Sequence, residues 1–212
     1  MYNKITLVIG GCRSGKSSHA LYLANQISGS RKIFMATSVP MDQEMDARVV
    51  KHQKERGEGW ITAEVPVDIS AKIRALSLNH KVSINKKIDA AHKADKSDME
   101  HKIEVEIEVA ADVILVDCLT LWVSNLMFNN FDDDGILKMT QELQDALTSS
   151  SSPIFLVSNE VGMGIVPENA LSRRFRDMAG MVNQKIAQRA DQVIYMVAGI
   201  PMKIKPPALI IA

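Results

Sequence analysis

Two cysteines, five per cent aromatic residues and no surplus charge of either sign mark what this 212-residue chain does without. Cys12 and Cys118 are too few for a disulfide framework, and a reducing, cytoplasmic setting is expected. Lys and Arg number 25, as do Asp and Glu, so no broad field draws the protein to nucleic acid or to an anionic membrane surface. The longest apolar runs are strand-sized, which excludes a membrane-spanning helix. Met1-Tyr2-Asn3-Lys4 leads straight into the first expected strand, leaving no room for a signal peptide. At this length a single domain over 1–212 is expected, long enough to bury a substantial core.

Short apolar runs alternate with helical patterns. Strands are predicted at 4–9, 32–36, 112–117, 153–158 and 192–198, and helices at 16–27, 42–57, 67–78, 134–149 and 168–190. The strands are continuously apolar rather than alternating. That pattern predicts an α/β three-layer sandwich around a mostly parallel sheet covered on both faces. One stretch departs from it. Residues 79–108 hold thirteen charged residues in thirty, without Gly, Pro or an aromatic ring, and read as a solvated insertion that carries no chemistry. His80, His92 and His101 lie in this stretch at spacings of twelve and nine, which fit no usual metal site.

Gly10-Gly11-Cys12-Arg13-Ser14-Gly15-Lys16-Ser17 spells G-x-x-x-x-G-K-S between the first strand and the first helix. Glycines let the backbone curl around phosphate oxygens, and the helix N-terminus adds partial positive charge. Lys16 reaches the outer phosphates, and the Ser17 hydroxyl can ligate Mg²⁺. The context turns a common motif into a P-loop nucleotide site. Val113-Ile114-Leu115-Val116-Asp117 is an apolar strand ending in a carboxylate. In phosphate-loop proteins such an aspartate lies beside the loop and serves the metal.

Two further segments carry chemistry-bearing residues. In 42–57, taken as a helix, Arg48, His52 and Arg56 stand at i, i+4 and i+8 on one stripe. Flanking guanidinium groups disfavour the imidazolium and hold an anion, so a neutral His52 could act as a phosphorus nucleophile. An exposed histidine on a polar face is the other reading. The second segment, Ser158 to Pro167, is glycine-rich and follows a strand, where parallel sheets bind ligands. Pro167 is taken to open a helix with Arg173, Arg174, Arg176 and Asp177, whose charges serve a ligand, a solvated face or a subunit contact.

Taken in order, these residues resemble the bifunctional adenosylcobinamide kinase/adenosylcobinamide-phosphate guanylyltransferases of cobalamin synthesis. The resemblance rests on G-G-C-R-S-G-K-S, Ala36-Thr37-Ser38, E-M-D-A-R-V-V-K-H-Q-K-E-R (44–56) and Trp60-Ile61-Thr62-Ala63-Glu64. It continues through D-C-L-T-L-W-V-S-N-L (117–126), S-N-E-V-G-M-G-I-V-P-E-N (158–169), R-F-R-D-M-A-G-M-V-N-Q (174–184) and Gly199-Ile200-Pro201-Met202-Lys203. It implies transfer of the γ-phosphate of ATP or GTP to the corrinoid's aminopropanol hydroxyl. Transfer of GMP from GTP, by way of a histidine, then gives adenosyl-GDP-cobinamide. The nucleophile falls on His52, with Arg48 and Arg56 beside it and Lys16 as the other catalytic residue. Nucleotide contacts are implied for Gly10 to Ser17, Ala36, Thr37, Ser38, His52, Gln53, Lys54, Glu55, Glu64 and Asp117, with Mg²⁺ on Ser17 and Asp117. A homotrimer is implied as well. Single-function kinase and nucleotide-dependent switch are the competing expectations.

Overall fold

The computed structural model describes residues 4–38, 59–77 and 110–206. Among these, seven strands form one sheet: β1 (Ile5–Gly10), β2 (Lys32–Ala36), β3 (Trp60–Glu64), β4 (Val113–Asp117), β5 (Ile154–Asn159), β6 (Gln192–Val197) and β7 (Ile200–Lys205). Their order is β3-β2-β4-β5-β1-β6-β7. Every pairing is parallel except β6 with β7, a hairpin at one edge. The helices among the described residues are α1 (Lys16–Asn25), α2 (Ile69–Ser77), α3 (Leu119–Phe128), α4 (Asp133–Ser149) and α5 (Ala170–Arg189).

The continuous apolar runs of β1, β2, β4 and β5 are explained by burial on both faces. On β4, Ile114 and Val116 join a core with Trp122 of α3, Leu143 of α4 and Ile186 of α5. The intervening Val113 and Leu115 join a second core with Ala20 and Ala24 of α1. Thus α2 to α5 cover one face and α1 lies on the other, the expected three layers. Full burial of each Leu or Ile in these cores contributes about 1.5–3 kcal/mol relative to exposure. α1 buries Ala20 and Ala24, with Leu21 and Leu23 packing beside them, and lies over β1, β4 and β5.

Four elements depart from the sequence reading. β3, α3 and β7 were not expected, and α5 begins at Ala170 behind an Asn169 cap rather than at Pro167. Asn169 Oδ1 accepts from the N–H groups of Leu171 and Ser172 at 2.7 and 3.2 Å, satisfying two donors that a helix start leaves open. The expected helix at 42–57 and the charged stretch at 79–108 lie outside the described residues.

Candidate nucleotide-binding site

The phosphate loop is shaped by what its glycines permit. A Cβ on Gly10 would stand 2.5 Å from the Met196 carbonyl oxygen and 2.9 Å from Ser14 Oγ, so only hydrogen fits there. The chain then passes through the left-handed region at Arg13 (φ 52°) and again at Gly15 (φ 90°), and α1 starts at Lys16. Two long-range bonds fix the loop: Gly199 N–H donates to Ser14 O at 3.1 Å, and Glu160 N–H donates to Gly10 O at 2.9 Å.

Lys16 is 7 % exposed, and its Nζ folds back to donate to Gly11 O at 2.5 Å. Burial lowers its pKa from the ordinary lysine value, opposed by the negative fields of Cys118, Asp117 and Cys12. A buried ammonium resting on its own loop is held where a phosphate would supply the missing counter-charge. Ser14 Oγ is buried with no hydrogen-bond partner among the described residues. An orphan hydroxyl inside the loop fits an anion that would accept from it.

The polar residues of the site are gathered by register. Glu64 pairs with Ala36, and Ala36 pairs with Asp117, so the two carboxylates stand at one level on either side of β2. Asp117 pairs with Val157, and Gly10 pairs with Asn159 two residues further along β5. In the sheet β5 lies between β4 and β1. Asp117 nonetheless acts electrostatically on Lys16. Alternation along β4 puts Asp117 on the face of Val113 and Leu115, which is the α1 face.

Thr37 is fully buried and wholly committed. Its Oγ1 donates to Cys118 O at 2.7 Å and accepts from Cys118 N–H at 2.8 Å, while its own N–H donates to Asp117 O at 3.2 Å. Asn125 Nδ2 donates to Thr37 O at 2.7 Å and to Pro66 O at 2.9 Å. Thr37 therefore pins the backbone beyond Asp117, and among the implied Ala36-Thr37-Ser38 contacts its hydroxyl is spoken for. The Cys118 thiol is pushed up to about 11 by burial and by the neighbouring Asp117 carboxylate.

The end of β5 is held by a network that sequence reasoning missed. Thr120 Oγ1 accepts from Asn159 N–H at 2.7 Å and lies 3.2 Å from Ser158 Oγ. Ser158 Oγ donates to Asn183 Oδ1 at 2.6 Å, and Asn183 Nδ2 donates to Asn159 O at 3.0 Å. The only signal was Ser158-Asn159 at a strand end. The arginines after the glycine-rich loop are partly structural. Arg173 donates to Pro167 O and Glu168 O, and Arg174 pairs with Asp133 of α4 at 2.6 Å. Between that loop and α5 lies a cleft of about 600 Å³ lined in part by Val166, Arg176, Asp177 and Met181.

Arg48, His52, Gln53, Lys54, Glu55 and Arg56 lie outside the described residues. For a metal, Ser17 and Asp117 supply hard oxygen donors, the chemistry Mg²⁺ takes when phosphates and water complete its shell. Among the described residues no cluster of three or more His, Cys, Asp or Glu could hold a metal ion. No helix among them is long and apolar enough to cross a membrane.

Comparison with known proteins points one way. A family model described as cobinamide kinase / cobinamide phosphate guanyltransferase matches residues 6–90 and 79–204. The bifunctional adenosylcobalamin biosynthesis protein CobP of Pseudomonas aeruginosa is 37 % identical over 200 residues, covering 94 % of this chain and 96 % of that protein. The proteins named CobU of Escherichia coli and Salmonella typhimurium are each 36 % identical over 211 residues, covering 94 % of this chain and 98 % of theirs.

Proposed function

This chain belongs to the cobinamide kinase / cobinamide phosphate guanyltransferase family, and from that premise we propose two reactions at its phosphate loop. In the first, the γ-phosphate of ATP or GTP passes to the hydroxyl of adenosylcobinamide. In the second, GTP guanylylates His52 with release of pyrophosphate, and the GMP moves onto the new phosphate to give adenosyl-GDP-cobinamide. The observation that carries the reading is the loop itself, with Lys16 buried and donating to its own loop carbonyl and the Ser14 hydroxyl buried without a partner among the described residues.

The described residues supply binding and orientation. Loop N–H groups and the start of α1 cradle the β- and γ-phosphates, and the Lys16 ammonium exchanges Gly11 O for a phosphate oxygen. Ser17 and Asp117 would hold Mg²⁺, which when bound neutralises phosphate charge. Thr37 fixes the turn beyond Asp117, and Ala36, Ser38 and Glu64 lie along the same strand ends. From the family's pattern, Gln53, Lys54 and Glu55 join the nucleotide site, and Arg48 and Arg56 flank the histidine. We take the assembly to be a homotrimer of soluble, cytoplasmic chains.

The test is incubation with Mg²⁺ and GTP labelled at the α-phosphate, followed by denaturing separation. An acid-labile, base-stable label on wild type that vanishes in His52→Ala is expected. No label on folded, nucleotide-binding wild type would remove the guanylyltransferase half and leave a kinase. If, in addition, cobinamide left nucleotide turnover unchanged, the protein would be a switch.

A further inference from the structure

The strand that separates the phosphate loop from Asp117 ends in Asn159, and nothing in the activity described so far gives that side chain a task. Its position is unusually well determined. Phe155 and Val157 of β5 face the α1 side of the sheet, where they join the core containing Ala20 and Ala24. Ser158 faces the other side, bonded to Asn183 of α5. Alternation returns Asn159 to the α1 side, level with Gly10 at the start of the phosphate loop and one repeat beyond Asp117. Its backbone is clamped at both ends, with N–H to Thr120 Oγ1 at 2.7 Å and C=O from Asn183 Nδ2 at 3.0 Å. The next residue is tied to the loop through Glu160 N–H to Gly10 O at 2.9 Å. Among the described residues the carboxamide itself makes no hydrogen bond, although the residue is partly buried.

We propose that Asn159 is a catalytic residue that contacts the terminal phosphate of the bound nucleoside triphosphate, its Nδ2 donating to a γ-phosphoryl oxygen. This rests on the two-reaction reading above. An amide suits the position because Asp117 already places one carboxylate there, and a second anion facing a triphosphate would repel it. In the transfer, the acceptor oxygen bonds to the γ-phosphorus as the bond from that phosphorus to the β–γ bridging oxygen breaks. The electron pair stays on the β-phosphate and the hydroxyl proton is lost to water. A fixed donor on the equatorial oxygens stabilises the charge spread over them during that passage, and a preorganised donor of this kind is worth about 10²–10³ in rate. The clamp on the backbone is what makes the donor preorganised, because it leaves only two side-chain torsions free.

Asn159→Ala keeps both backbone bonds and removes only the carboxamide. Its kcat for phosphorylation of cobinamide is expected to fall about 100-fold, while the nucleotide KM moves less than about threefold. Asn159→Asp, equal in shape but without the donor, should fall at least as far. Wild-type kcat in either variant would overturn the assignment, and so would a loss matched by an equal loss of nucleotide affinity. A second measurement does not depend on the acceptor. The phosphorus resonances of a bound, non-hydrolysable GTP analogue should differ between wild type and Asn159→Ala at the γ position and coincide at the α position. Identical γ resonances would overturn the contact even if wild type left cobinamide untouched, an outcome that would count separately against the functional reading.

Discussion

Lys16 and Cys118 show how burial sets the chemistry of single residues here. Both are pushed by desolvation toward the neutral form: the lysine downward, the thiol up to about 11. The Asp117 carboxylate opposes the shift on the lysine, and the loop presents a side chain already stripped of most of its water before any phosphate arrives. Cys12, by contrast, is exposed on the loop. At pH 8 a thiol titrating near 11 is about one part in a thousand thiolate, and thiolate is the nucleophile. Alkylation at that pH should therefore modify Cys12 rapidly, spare Cys118 until the protein unfolds, and slow when Mg²⁺ and GTP occupy the loop. Mass spectrometry of the labelled protein decides it. Equal labelling of both thiols, or no protection by nucleotide, would refute the burial of one or the role of the other.

At the scale of elements, α3 matters more than its length suggests, since Asn125 holds β2 and the entrance to α2 together through Thr37 O and Pro66 O. Asn125→Ala strands two carbonyls, the first of them buried, and should cost about 1–3 kcal/mol, read as a fall of several degrees in the thermal midpoint. An unchanged midpoint would show that water replaces the amide. This helix was invisible in the sequence for a physical reason. Leu119-Thr120-Leu121-Trp122-Val123 carries no charge on any side, because one side meets the main core and Leu121 packs into the other. A helix buried that way has no polar face to reveal its period. β3 and β7 escaped for the opposite reason. Both are edge strands with mostly exposed side chains, β7 along nearly its whole length and with Pro201 inside it, so neither shows the apolar run that betrayed β1, β2, β4, β5 and β6. The phosphate loop was legible because its function is written in eight consecutive residues. Asn159 was not, because its meaning depends on β5 lying between β1 and β4, and strand order is not encoded locally.

At the scale of the whole molecule, the β7 edge of the sheet exposes apolar side chains among the described residues. Ile200, Met202 and Ile204 of β7 are each more than half exposed, and Ile165 in the glycine-rich loop is 95 % exposed. Monomers seldom leave such an edge bare. The proposed trimer has to bury apolar surface somewhere, and this edge is one place where the described residues offer it. Light scattering should return three chain masses for wild type and one for Ile200→Lys combined with Ile204→Lys. A double variant that stayed trimeric would place the contact elsewhere. The same hairpin reaches inward as well. Gly199, in its turn, donates to Ser14, so the loop near the start of the chain is completed by a residue near the far end, with β5 threaded between β1 and β4. Contacts spanning so much of the sequence form late in folding. A chain emerging from the ribosome therefore displays its most recognisable motif long before Gly199, the residue that ties that loop down, has been made.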